Sequence, residues 1–170
     1  MNQVGTSALD GARGALAGAL ASKVMGRVTT YMYEHQDEKA TEREESVRGG
    51  KASFEVAAEK AARLFGRELD EDQRKRLGGV MSWALAIGAG TVYGIVRRRL
   101  PASKRGMGLL FGTAFFLLVD EGMNTLFRFT PPPRAFPWQA HARGLLGHLT
   151  YGLAAELQLR ATDAAARRAF

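Results

Sequence analysis

Apolar positions along the chain gather into four runs separated by charged stretches, and the pattern predicts four long helices. The clearest run is residues 77–96, twenty positions without a charge, bracketed by Arg74-Lys75-Arg76 and Arg97-Arg98-Arg99. About twenty apolar residues is the length of helix that spans a bilayer's hydrocarbon core. A third run, 106–127, is broken only by Asp120-Glu121, and a fourth, 142–160, holds His148 and Glu156. The first run, about 8–33, is rich in Ala and Gly and is interrupted by Arg13, Lys23 and Arg27. Lys23 and Arg27 must snorkel to an interface or face a partner helix. A soluble bundle is the alternative, but 77–96 would then be apolar on all sides, which so small a soluble chain can hardly bury.

Between the first and second runs the pattern turns amphipathic. Phe54, Ala57, Ala58, Ala61, Leu64, Phe65 and Leu69 recur at helical spacing among charged residues, predicting one helix over about 53–68. Ser53 is the expected N-cap, with Glu55 in the first turn, and Asp70 or Asp72 caps the next helix. Residues 36–48 are nearly all polar and read as a helix extension or a link. The predicted fold is therefore all-α: a single domain over 1–170, an integral membrane four-helix bundle with an additional amphipathic helix between the first and second spans.

Small residues recur every fourth position. Gly14, Gly18, Ser22 and Gly26 mark the first helix; Gly78, Ser82, Ala86, Gly90 and Gly94 the second; Gly108 and Gly112 the third; Gly144 and Gly152 the fourth. A four-residue step keeps side chains near one face. Small side chains there let helix backbones approach closely in lipid. These positions are the candidate helix-packing set.

Charge sharpens the picture. Segment 34–76 holds twelve of the 17 acids but only ten of the 24 basic residues, so the remainder of this net +7 chain is strongly basic. The basic residues cluster at the ends of apolar runs, which fits membrane helix ends better than nucleic-acid binding. The loop 97–105 carries five basic residues, and Arg160, Arg167 and Arg168 follow the last run. The positive-inside bias makes both cytoplasmic and puts both termini on that side, with 34–76 and the Pro-rich loop 128–141 outside. Arg74-Lys75-Arg76 argues the other way. No Lys or Arg precedes Arg13 and the apolar stretch after it is short, so a signal peptide is not expected.

Little chemistry is legible. The chain has no Cys, which excludes thiol catalysis, disulfides and Cys-held metals. Its three histidines, His35, His141 and His148, make no metal spacing, and no CxxCH, HExxH or phosphate loop occurs. We expect no cofactor and no enzyme. The candidate functional polar network is Asp120, Glu121, His148 and Glu156, since ionisable groups at membrane depth face the interior and pair. It reads either as a proton or cation path or as a structural network neutralised by Lys23, Arg27, Arg128 or Arg143. Asp120 and Glu121, being adjacent, point about 100° apart and cannot share one partner. In the loop, Pro131-Pro132-Pro133 forces an extended path, and Phe136 and Trp138 suit an interfacial anchor.

A set of short motifs runs through most of the chain. It comprises Ala58-Glu59-Lys60-Ala61-Ala62, Gly66-Arg67-Glu68-Leu69, Arg74-Lys75-Arg76, Trp83 and Tyr93-Gly94. Asp120-Glu121, Pro131-Pro132 with Pro137, and His148-Leu149-x-Tyr151-Gly152 followed by Glu156 complete it. In order and spacing it resembles the YagU-like family of uncharacterised bacterial inner-membrane proteins. The resemblance implies a multi-pass inner-membrane protein and brings no established catalytic residues. The expected role is a structural or accessory subunit packed against itself or a larger complex in the lipid bilayer. The rivals are a proton- or cation-handling protein using the carboxylates and His148, and a peripheral helical protein binding acidic surfaces.

Overall fold

The computed structural model describes residues 3–99 and 106–168, and among these the chain is all-helical, with no strand. Six helices of ten residues or more follow in order: α1 (Gln3–Glu34), α2 (Glu38–Arg48), α3 (Ser53–Leu64), α4 (Glu71–Arg97), α5 (Met107–Leu126) and α6 (Trp138–Arg168). Lys104 and Arg105, part of the expected basic loop, lie outside the described residues.

Local chemistry sets the boundaries. Asp37 caps α2 by accepting from the amides of Lys39 (3.1 Å) and Ala40 (3.3 Å). The polar stretch 36–48 is thus neither link nor extension but a helix of its own, closed by left-handed Gly49. α3 begins after Ala52, so Ser53 is its first residue rather than its cap. It stops at Leu64, short of the expected 68, because Gly66 turns left-handed and the Arg67 amide bonds back to the Ala62 carbonyl at 3.1 Å. Asp70 starts α4 with a reciprocal capping box: the Gln73 amide donates to its carboxylate (2.8 Å) and its own amide donates to the Gln73 side chain (3.3 Å). Within α5, residues Leu117–Met123 form a π-helical stretch that nothing in the hydrophobic pattern announced. α6 starts after buried Pro137, four residues earlier than expected, and runs on to Arg168.

The four long helices alternate in direction. Glycines hold them together. α1 and α4 are antiparallel: a Cβ on Gly14 would strike the Gly90 carbonyl oxygen, and one on Gly18 would lie 2.6 Å from the Ala86 carbonyl oxygen and 2.9 Å from Gly90 Cα. α5 and α6 repeat this, with Gly108 against the Gly152 backbone and Gly112 against that of His148. α1 also meets α6, where a Cβ on Gly147 would lie 2.5 Å from Thr29 Cγ2. Between these seams sit Ala17, Ala21, Ala86, Tyr93, Tyr151, Ala155 and Leu159, with Phe111 and Phe115 packed against them. Tyr93 stacks on Phe111 at 4.5 Å between ring centroids, which ties α4 to α5.

The four-residue stripes do not stay on one face. Sixteen residues of α-helix accumulate about 160° relative to whole turns. So Gly78 faces the start of α3, with Glu55 N 3.0 Å from its would-be Cβ, while Gly94 at the stripe's other end faces α1. Likewise Gly26 has drifted off the α1–α4 seam: it is exposed, with nothing near it. Ser22 and Ser82 are half-buried. A Cβ on Gly144 would lie 2.9 Å from the Phe116 ring and 3.1 Å from Asp120 Oδ2, so it faces side chains and not a backbone.

The outside of the bundle is apolar. Leu16, Leu20, Val80, Val92, Leu110, Leu118, Leu153 and Leu157 all point outward. Two helices, Glu71–Arg97 and Met107–Leu126, are long and apolar enough to cross a membrane, and only 22% of each apolar window is buried, against the mostly buried core helix of a soluble domain. α1 and α6 fall short of that measure; each carries charges along its length.

Candidate functional site

Alternation collects the chemistry at the two ends of the bundle. One end joins the start of α1, the ends of α4 and α6 and the start of α5. There Glu156 accepts from Tyr93 Oη (2.6 Å), Arg97 Nε (3.1 Å) and Arg160 Nε (2.5 Å). Arg97 and Arg98 each reach Asp163 at 2.8 Å, and Arg98 Nε reaches Asp10 at 2.8 Å. The counter-ions of Glu156 are therefore Arg97 and Arg160, not Lys23, Arg27, Arg128 or Arg143. The i, i+4 spacing of Glu156 and Arg160 was the readable signal for one of them. Lys23 instead lies over the Trp83 ring, 6.0 Å from its centroid.

The other end carries α2, α3 and the Pro-rich turn. Glu44 is fully buried. It binds Arg143 and, at 2.6 Å, Arg48, while Arg143 Nη1 donates to Gln36 Oε1 at 2.6 Å and lies over the Tyr33 ring. Arg48 lies one turn along the same helix; the other partner, Arg143, lies 99 positions away, and no sequence signal joined it to Glu44.

Asp120 and Glu121 sit on the π-helical stretch of α5 and turn to different partners, Glu121 to His141 and Asp120 to His148. His141 Nε2 faces the Pro133 carbonyl at 2.9 Å and Nδ1 faces Glu121 Oε1 at 2.7 Å. A carbonyl and an ionised carboxylate only accept, so the doubly protonated imidazolium satisfies both bonds. Burial opposes that charged form, yet the Glu121 carboxylate and the Pro133 carbonyl outweigh it and raise the His141 pKa. The ring thereby clips the Pro-rich turn to α5. His148 is buried between the Phe115 and Phe116 rings, its Nδ1 donating to the Gly144 carbonyl at 3.0 Å. Asp120 Oδ2 is 3.6 Å from that nitrogen, beyond hydrogen-bond length. Glu156 is at the far end, so the predicted quartet splits into an Asp120–His148 pair, a Glu121–His141 pair and a separate arginine cluster.

Asp120 and Glu121 open onto a cleft of about 170 Å³ between the π-stretch, the α2–α3 junction and the Pro-rich turn. Arg48, Lys51, Asn124 and His141 also line it, with the Phe116 and Phe136 rings. Lys51 is held by Glu59 at 2.7 Å, and its ammonium keeps the Glu59 carboxyl below the usual range. Among the described residues no group of three or more His, Asp or Glu is placed to hold a metal ion. No protein-family model, curated protein or solved structure matches this chain.

Proposed function

We propose that the chain is an integral membrane protein whose four long helices cross a bilayer, and that it serves there as a structural or accessory subunit. The outward apolar belt carries the reading. All four long helices turn Leu, Val or Ile outward, while glycine, alanine and paired charges share the interior with Tyr93, Tyr151, Phe111 and Phe115. A water-soluble bundle turns its large aliphatic residues inward instead. The apolar stretch 77–96 is about 30 Å long as a helix, the thickness of a hydrocarbon core. The resemblance to the YagU-like family supports a bacterial inner membrane, and the arginine end is the expected cytoplasmic side. The small-residue faces are consumed within the chain, so a second copy or a larger complex would meet the Leu- and Val-rich outer faces instead. Extraction tests both parts of the reading. The chain is expected to stay with membranes through carbonate washing and to migrate in mild detergent within a larger assembly identified by mass spectrometry. Release by carbonate sinks the membrane reading; migration as a lone monomer sinks the subunit reading.

Proton or cation handling has one favourable observation, the Asp120 carboxylate held without a hydrogen bond beside His148. Against it, Phe111, Phe115 and Tyr151 fill the interior between His148 and Glu156, and the Tyr151 hydroxyl is spent on the Ala86 carbonyl at 2.5 Å. Loss of ion flux in liposomes by a folded Asp120→Asn variant would revive it.

A further inference from the structure

The cleft beside the π-stretch contains polar groups that the chain itself leaves unused. Asn124, 7% exposed as a residue, lines the cavity, and its side-chain amide makes no hydrogen bond among the described residues. An amide in a cavity wall with no partner of its own offers both a donor and an acceptor to whatever enters the cleft. One helical turn earlier, Asp120 lines the same cavity and likewise makes no side-chain hydrogen bond among the described residues; His148 Nδ1 lies 3.6 Å from its Oδ2. The Phe116 and Phe136 rings contribute apolar, electron-rich walls. Lys51 and Arg48 line it as well; each gives an ion pair to a glutamate, Glu59 and Glu44, and keeps further N–H donors.

We propose that this cleft binds a small zwitterion, an ammonium joined by a short chain to an anionic oxyacid group. The ammonium lies on Asp120 and the Asn124 side-chain carbonyl, against the two rings. The anionic group faces Lys51 and Arg48. A simple anion would leave Asp120 beside it unpaired, and a simple cation would leave the two basic groups facing like charge. A volume of about 170 Å³ suits a ligand this small. The ethanolamine phosphate headgroup of a membrane lipid and a free small zwitterion share this chemistry. The cleft is built from the chain's own side chains and does not depend on the helices crossing a bilayer; only the lipid source rests on that reading.

The test is calorimetric titration of phosphoethanolamine into the purified full chain in detergent. Saturable binding is expected. It should weaken about tenfold or more in Asp120→Asn, which removes the charge facing the ammonium, and measurably in Asn124→Ala and in the more exposed Lys51→Ala. Asp163→Asn, at the far end, should bind as the parent does. No saturable binding, or inorganic phosphate bound as tightly as phosphoethanolamine, overturns the proposal. So does an Asp120→Asn variant that folds and binds unchanged. Mass spectrometry of the detergent-extracted protein then separates the sources: retained phosphatidylethanolamine displaced by phosphoethanolamine assigns a lipid headgroup, and binding to lipid-free protein that retained none assigns a free zwitterion. Membrane retention is read separately by carbonate washing, so either idea fails without the other.

Discussion

Arg97, Arg98 and Arg160 face Asp10, Glu156 and Asp163 at one end of the bundle, and each of those acids has at least one arginine at 2.5–2.8 Å. At the other end Glu44 is saturated by Arg143 and Arg48, but Asp120 and Asn124 stand open on a cleft. The first arrangement ties helix ends together and leaves nothing for a ligand. The second separates its charges with rings, a proline turn and a local change of helix pitch. A closed network is what a load-carrying joint needs, and an unfinished one is what a binding site needs.

The largest expected effect comes from cutting the seam that joins the two ends. α1 runs the full length and is pinned to α4 at Gly14 and Gly18. In Gly14→Leu the new side chain must displace the Gly90 backbone, so the helices separate. The cost should be at least about 3 kcal/mol, read as loss of a cooperative thermal transition in detergent. Gly26→Leu, on the same four-residue stripe but facing open space, should change stability by no more than about 0.5 kcal/mol. Equal effects at the two positions would mean the seam is not where the glycines meet.

That pair also shows what sequence could and could not reveal. The four long helices were legible because apolar runs and flanking charges are local patterns, and the capping aspartate of α4 was legible because a cap is a local bond. The direction of each glycine was not. A four-residue repeat is close to helical pitch but not equal to it, and only the partners decide which part of the drift is used. The arginine cluster was half-visible: Glu156 and Arg160 are one turn apart, while Asp10 and Arg98 meet only through the fold. Glu44, Asn124 and His141 were invisible as a site. Each takes its meaning from a neighbour on another element, and the π-stretch that displays Asp120 and Glu121 has no composition of its own.

Of intermediate size is the difference between the two charge clusters. Arg143→Met leaves the fully buried Glu44 with Arg48 as its one cation and a 3.4 Å hydrogen bond from Gln36, which should cost about 3 kcal/mol. The double change Glu44→Leu with Arg143→Met removes both charges and should return most of that. Arg97→Met leaves Glu156 with Tyr93 and Arg160, and Asp163 with Arg98. Its cost should be nearer 1–2 kcal/mol, roughly two modest hydrogen bonds. Thermal unfolding in detergent ranks the three. If Arg97→Met costs as much as Arg143→Met, the arginine end is not redundant and the contrast between the ends narrows.

The smallest effect is the most local. His141 has its pKa raised in the fold, by Glu121 and the Pro133 carbonyl acting against burial. A raised folded value means the imidazolium's contribution is fully present below the unfolded value of about 6.5 and is lost as pH rises through the folded one. The side chain is about a third exposed, so the contribution is screened and amounts to a few tenths of a kcal/mol. Global melting would barely register it. Hydrogen exchange resolves it, because the clip holds the Pro-rich turn against α5 and its loosening should appear first in the opening turn of α6. Exchange there should quicken as pH rises above about 6.5, beyond its intrinsic pH dependence. The last turn of α4, at the opposite end and without a histidine, should show the intrinsic dependence alone. His141→Asn should abolish the excess at the turn. A matching excess at both ends would place its origin outside the His141 clip, and would mean that the two ends of the bundle open as one unit rather than as a sealed joint and a separate, adjustable cleft.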